Sequence, residues 1–361
     1  METIVIVGGG AGGLELATRL GNIAGAHSRV VLVDRWPGHF WKPLLHTVAS
    51  GSCDPQADEL SFSTQASEHG FEFIQGEMLC LDRTQQTITL SPQDGGDGAC
   101  RVLGYDKLVL ALGSVTSFYG VPGAQEHALT LDSVADAEAF RHRFFAACHQ
   151  AGNSPVNVAI VGGGATGVEL AAELSNSTRA LALLQNIRIT VMERGAGLLP
   201  HMDGIQAQRA ERHLRSLGVA VRTATSVAAV HADAVTDSHG QRHPAQLTLW
   251  AAGVQAPPLC ARLGLSVNHQ QKILVDAGLR SFSDARIYAL GDCANYVCPV
   301  KGAAPPRAQV AHQQAMFLAG ALAGASDGEA PALFHYHDYG SLISLGPQAA
   351  VGVLTRAGSG L

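Results

Sequence analysis

Two stretches of the chain carry one pattern: residues 4–17 read IVIVGGGAGGLELA and residues 158–171 read VAIVGGGATGVELA. Each is an apolar run, a G-x-G-x-x-G turn and the start of an apolar-periodic helix, the order by which a strand brings a dinucleotide to a helix N-terminus. Each leads to a second apolar run that ends on an acid. Val30-Val31-Leu32-Val33 runs into Asp34, and Ile189-Thr190-Val191-Met192 runs into Glu193. The acids lie 21 and 26 residues past the last motif glycine, close to the roughly 20 that puts a carboxylate on a ribose. One such fingerprint is weak evidence. Two, each with its strands and acid, restrict the chain to a pair of doubly wound nucleotide folds.

The glycines have separate tasks. Gly8 allows the tight turn, Gly10 lets a pyrophosphate approach the backbone, and Gly13 lets helix and strand pack closely. Gly162, Gly164 and Gly167 repeat the arrangement, and each helix start offers free N–H groups and partial positive charge to phosphates. The halves also match further on. Thr87 to Leu90 leads to a polar turn at Asp94–Gly98, and Val227 to Val230 leads through Asp237-Ser238-His239-Gly240 to Leu247. Both halves then reach a strand closing on glycine, LVLALGS at 108–114 and LTLWAAGV at 247–254. The second unit therefore reads as inserted in the first, with crossovers near Ser114–Tyr119 and Ala256–Gly264. The expected fold is α/β, with two three-layer Rossmann-like domains: 117–264 forms one, and 1–116 with 265–361 forms the other.

Composition narrows the function. The chain has 361 residues, 47% of them hydrophobic and 15% charged, so a large core is available and disorder is excluded. Its net charge of −6 argues against nucleic acid as a partner and against a polybasic membrane patch. Seven cysteines without a C-x-x-C motif speak against a disulfide framework, a paired-thiol zinc site and a dithiol flavoenzyme. Thr3 to Val7 enters glycines at once with no basic region before it, unlike a signal peptide. Ala315 to Ala325 falls short of the about 20 residues a spanning helix requires.

Two nucleotide sites in one chain suit an enzyme that passes hydride from a nicotinamide to a flavin. The run IYALGD at 287–292 assigns the flavin to the first domain: a buried strand delivers Asp292 to a helix start, where it could accept from a ribityl chain. Local sequence alone also allows Asp292 a capping role.

With these residues in view, the chain resembles the type II NADH dehydrogenases, single-subunit NADH:quinone oxidoreductases that do not pump protons. The resemblance covers essentially the whole chain. It rests on GGGAGGLELA, HFWKPLLHTVASG (39–51), VGGGATGVELAAEL (161–174), LWAAGV, YALGDCA and PPRAQVAHQQA (305–315). The family's A-Q-x-A-x-Q quinone motif is matched by Ala308-Gln309-Val310-Ala311-His312-Gln313. The resemblance implies non-covalent FAD, NADH as substrate and a quinone acceptor. FAD contacts are expected at Gly8, Gly10, Ala11, Gly12, Gly13, Asp34, Arg35, Lys42, Gly113, Gly291 and Asp292. NADH contacts are expected at Gly162, Gly164, Thr166, Gly167, Glu193 and Gly253. Glu169 matches a family Glu near the flavin, implicated in nicotinamide contact or proton handling; dipole complementation in the first helical turn is the plainer reading. Gln309 and Gln313, four apart on a helix, share a face and could serve a quinone together, or simply be solvated. Thr47 stands where relatives often carry Glu, so no acid acts there.

Other side chains carry weaker signals. Trp41 and Phe40 read as core. His239 and His243 fall in a polar turn with no completing carboxylates, so no metal site is expected. Cys293 and Cys298 read as small buried hydrophobes. The chain ends at Gly358-Ser359-Gly360-Leu361 after two strands, Ser341–Leu345 and Ala349–Leu354, where family members continue into amphipathic anchoring helices. The expectation is a short form without its anchor, soluble itself, of an enzyme peripheral to the cytoplasmic side of the inner membrane, with a second copy as a candidate partner in a homodimer. The alternatives are another NAD(P)H- or sulfide-linked flavoprotein reductase of the superfamily and a non-catalytic dinucleotide-binding flavoprotein.

Overall fold

A computed structural model describes residues 1–24, 28–92, 98–152, 154–180, 187–298, 302–324 and 333–355. The expected polar turn lies outside these residues except for Gly98, and Gly358–Leu361 lies outside them entirely. The chain forms two compact units, one of residues 1–41, 58–115 and 255–337, the other of residues 42–57, 116–254 and 338–361.

In the order of the chain, the first unit begins with β1 (Glu2–Val7), α1 (Gly13–Ala24) and β2 (Ser28–Asp34). The second unit claims α2 (Leu45–Ser50). The first resumes with β3 (Glu72–Gln75) and β4 (Lys107–Leu110). The second then holds α3 (Val134–Ala151), β5 (Val156–Val161), α4 (Ala165–Ala180), β6 (Ile187–Met192), α5 (Gly204–Ser216), β7 (Ala220–Arg222) and β8 (Leu247–Trp250). The first closes with β9 (Arg280–Ser281), β10 (Asp284–Ala289) and α6 (Ala308–Ala323), and the second with the hairpin β11 (Gly340–Ser344) and β12 (Ala350–Leu354).

The sheet of the first unit runs β9-β10-β4-β1-β2-β3, with β10, β4, β1, β2 and β3 parallel. The sheet of the second runs β7-β6-β5-β8, all parallel. The order third, second, first, last is thus used twice. Strands such as IVIV and VVLV are buried on both faces, as parallel strands covered by helices must be. In both sheets the chain reverses direction of winding beside the first strand, between β1 and β4 and between β5 and β8, which is where doubly wound folds bind ligands. A three-stranded antiparallel meander precedes the last strand of each set, Met78–Asp82, Thr87–Leu90 and Arg101–Gly104 in one, Val227–Val230, Ala234–Asp237 and Arg242–Pro244 in the other.

The units divide elsewhere than the repeat suggested. The second runs from Thr116 to Val254 rather than 117 to 264, and it also takes 42–57 and 338–361, both expected with the first. Packing explains the reassignment: α2 lies on α3 and α4, and the β11–β12 hairpin lies on α4 and α5. Trp41 is not core; 43% of its surface is exposed, while Phe40 is half-buried. Cys293 and Cys298 are buried.

Candidate functional site

The first glycine turn is shaped by what it must avoid. Gly8 has φ +104, and a Cβ there would stand 2.3 Å from the carbonyl oxygen of Ala111, just past β4. A Cβ on Gly13 would stand 1.8 Å from the Gly8 oxygen, so α1 can start this close to its own turn only with glycine. Gly12 abuts Leu290 and the main chain of Ala311 in α6. Gly10 differs: nothing lies within 4 Å of where its Cβ would be. Its backbone faces open space at a helix N-terminus whose first N–H groups have no intrahelical acceptor. A pyrophosphate fits that cradle.

Asp34, at the end of β2, is held from both sides. Its Oδ2 accepts the Gly9 N–H at 2.6 Å and its Oδ1 the Trp36 N–H at 2.8 Å. Burial raises its pKa, opposed by those two donors and by Arg35. Each oxygen retains a lone pair for a ribose hydroxyl. Arg35 itself lies over the Trp36 ring, 5.5 Å from its centroid, and 3.7 Å from Glu77.

The second turn repeats the glycine and acid arrangement. Gly162 has φ +114, with its Cβ position 2.5 Å from the Ala251 oxygen, and a Cβ on Gly167 would stand 2.0 Å from the Gly162 oxygen. Gly164, like Gly10, is open. Glu193 Oε2 accepts the Gly163 N–H at 2.7 Å and Oε1 the Gly195 N–H at 2.6 Å. In both cradles the acid therefore binds the N–H of the glycine after the turn's first and the N–H two residues beyond itself. Thr166 and Arg194 are exposed beside this second cradle. Gly253, past β8, has φ +154 and is covered by Tyr119, whose hydroxyl stands 2.1 Å from its Cβ position.

At the end of β10, Gly291 (φ +70) and Asp292 open a short 3-10 turn. Asp292 Oδ2 accepts from Ser114 Oγ at 2.7 Å, beside the open Gly113 (φ +66). The Gly291 N–H donates to Gln314 Oε1 at 2.7 Å, which ties this turn to α6. Gln314 is 1% exposed and was invisible to the motif, which names its neighbours. Gln309 is half-buried in the first turn of α6. Gln313 takes a different part from the one its spacing suggested. Its Nε2 donates to the His337 carbonyl at 2.7 Å and its Oε1 accepts the His337 N–H at 2.9 Å. Both ends of the amide hold the main chain, so it does not project beside Gln309 as a second quinone donor.

Glu169 lies in the second turn of α4 rather than the first, because the helix starts at Ala165. Dipole complementation fades beyond the first turn, so that reading loses its ground. Glu169 Oε1 accepts the Ser344 N–H of β11 at 3.1 Å, and its Oε2 is 3.8 Å from His46 Nδ1 of α2. Burial pushes its pKa up to about 7, with the Ser344 N–H pulling it down. The His46 Nδ1–H donates to the Pro43 carbonyl at 2.8 Å, and burial lowers its pKa. Lys42, just before, is exposed and 3.4 Å from Asp132.

His243 is not in the turn but in a strand of the meander, 2.9 Å from Asp237, whose other oxygen accepts from the main chain of His239 and Gln241. The pair therefore shapes the hairpin. Among the described residues, no group of three or more His, Cys, Asp and Glu could hold a metal ion, and no helix is long and apolar enough to cross a membrane. Ser114, Tyr119, His46 and Gln314 were missed by sequence reasoning; each acts on a residue outside its own element, and of the four Ser114 and Tyr119 lie next to a glycine, Gly113 and Gly120.

Residues 2–315 match the family model described as pyridine nucleotide-disulphide oxidoreductase. A type II NADH:quinone oxidoreductase of Haemophilus influenzae is 34% identical, over 99% of this chain and 88% of that protein. The chain belongs to the type II NADH:quinone oxidoreductase family. A demethylphylloquinone reductase of Synechocystis sp. is 31% identical over 96% of this chain and 85% of its own length. The solved structure of NDH2 from Plasmodium falciparum in complex with NADH shares the fold, with TM-score 0.87 at 20% identity over 98% of this chain and 90% of that one. At that identity the two chains share one α/β architecture while most of their side chains differ.

Proposed function

We propose that this protein oxidises NADH through bound FAD and passes two electrons to a quinone, without pumping protons. The doubled cradle carries the reading: two glycine turns with open backbones, each backed by an acid pinned by two N–H groups, in a member of the type II NADH:quinone oxidoreductase family. FAD, when bound, supplies the redox chemistry, accepting hydride and releasing electrons two at a time. The chain supplies binding, orientation and proton control.

In this reading the first cradle holds FAD. Gly8 and Gly10 to Gly13 take its pyrophosphate, Asp34 its adenosine ribose, and Asp292, oriented by Ser114 Oγ, its ribityl hydroxyls. The second cradle holds NADH through Gly162, Gly164, Gly167 and Glu193. Glu169, neutral or ionised near pH 7, handles a proton of the reaction. Gln309 contacts the quinone, and Gln313 and Gln314 position its helix against the main chain at His337 and Gly291. Work on a membrane-dissolved quinone places the enzyme at a membrane face.

The direct test is anaerobic. NADH added to purified protein should bleach the visible flavin absorbance, and a short-chain quinone should restore it. A flavin that stays oxidised under NADH sinks the proposal. Within the same experiment, Gln309→Leu should slow the return with quinone by about tenfold or more, the effect of one lost hydrogen bond to a reacting carbonyl, and leave bleaching by NADH unchanged. Equal slowing of both steps would make Gln309 structural.

Nucleotide choice is a further expected result. The Glu193 carboxylate should repel a 2′-phosphate; like charges near 4 Å cost about 1–4 kcal/mol between aqueous and partly buried surroundings, roughly five- to several-hundred-fold in favour of NADH. Arg194 is exposed alongside and offsets part of this. Glu193→Ala should narrow the ratio of kcat/KM for NADH and NADPH, and equal kcat/KM values for the two nucleotides in the unaltered protein would refute the role.

A further inference from the structure

The surface where α2 meets α4 buries three titratable side chains, and nothing above assigns a task to two of them. Glu169 and Glu173 are four apart on α4 and share a face. His46 meets that face from α2: its ring nitrogen is 3.8 Å from Glu169 Oε2, and the charge of Glu173 acts on it. His46 is 4% exposed and Glu173 8%. The Nδ1–H of His46 points to the Pro43 carbonyl at 2.8 Å, so the tautomer is settled and the ring offers a donor at this edge.

We propose that His46 is a positioning residue for Glu169: its Nδ1–H, held on the Pro43 carbonyl, turns onto the Glu169 carboxylate when that group gives up its proton. In the step the O–H bond of Glu169 breaks, the proton leaves to water, and the imidazole stays neutral while its hydrogen bond changes acceptor. The gap closes from 3.8 Å to a hydrogen-bond length of about 3 Å by a small rotation of either side chain. Ionised Glu169 then has one donor from β11, the Ser344 N–H, and one from α2. Without His46 the Glu169 carboxylate would have the Ser344 N–H facing it and no donor from α2, and its partly buried surroundings would resist ionisation.

The other neighbours do not substitute. The hairpin β11–β12 brings only the main chain of Ser344. His213 of α5 faces the Leu345 carbonyl at 3.1 Å. Arg141 of α3 lies at the far end of α2, against Gly51. His46 is therefore the side chain that lets Glu169 ionise near neutral pH, where its proton can be exchanged.

The proposal rests on Glu169 handling a proton, but its test uses neither NADH nor quinone, so failure of one is separable from failure of the other. In the FAD-loaded protein, the infrared C=O band of protonated Glu169, identified by its loss in Glu169→Gln, should titrate near pH 7. His46→Leu should raise that midpoint by about one unit, roughly tenfold less carboxylate at a given pH, and His46→Gln, which keeps an N–H donor, should largely restore it. An unchanged midpoint in folded His46→Leu overturns the proposal. Should that variant not fold, the ¹⁵N resonance of His46 Nδ1 decides. In the unaltered protein it should step with the Glu169 midpoint, and in Glu169→Gln the step should vanish; a flat resonance through the Glu169 titration overturns the proposal equally.

Discussion

Gly10→Val should yield folded protein without FAD. A Cβ at Gly10 meets nothing within 4 Å, so the chain accommodates the side chain and only the outer face of the turn is filled. That face is where a pyrophosphate must approach the backbone. Losing about 4 kcal/mol of contacts there corresponds to roughly a thousandfold in affinity. The flavin absorbance of dialysed protein should fall to near nothing while its circular dichroism and unfolding midpoint stay close to those of unaltered apoprotein. Gly13→Val offers the contrast. Its Cβ would stand 1.8 Å from the Gly8 oxygen, so the turn itself must break and folding should suffer. Gly164→Val is the matched variant of the second cradle, open in the same way. It should keep FAD and lose NADH, read as bleaching that no longer saturates at accessible NADH. Full flavin in Gly10→Val would reject the first cradle as the FAD site, and loss of flavin from Gly164→Val alone would exchange the two assignments.

Glu169→Gln should stabilise the protein above neutral pH. A carboxyl group at about 7 in the fold and near 4.5 when exposed holds its proton more tightly in the native state. Its contribution is fully present below pH 4.5 and is lost as pH rises through 7, a difference of about 3 kcal/mol from the two values. His46 acts in the opposite sense. Burial lowers its pKa, so its contribution is complete above its ordinary value of 6.5 and is lost as pH falls through the lowered value. The two slopes oppose each other below pH 6.5, and above it Glu169 acts alone. Urea unfolding from pH 6.5 to 8.5 should therefore show the last part of that loss, about 1 kcal/mol, in the unaltered protein and a flat profile in Glu169→Gln. A decline of the same size in both would remove Glu169 as its source.

The sequence by itself determined the parts of this protein that depend on short-range backbone rules. Gly8 and Gly162 adopt φ values that side chains resist, and Gly13 and Gly167 sit where any Cβ would strike the turn behind them. Such requirements act over a few residues, so spacing alone reveals both cradles, their acids and the repeated sheet. The tertiary structure decided what joins residues distant in the chain. Ser114 reaches Asp292 across 178 positions, and Ser344 reaches Glu169 across 175. The motif pointed to Gln313 as a projecting amide, yet 24 residues on, the His337 main chain uses both of its ends. Residues 42–57 and 338–361 joined the second unit because Leu45 and Val48, like Ile343 and Val351, bury their side chains there. A hydrogen bond or an apolar contact of this kind leaves no period or spacing in the chain, because its partner is chosen by packing in three dimensions.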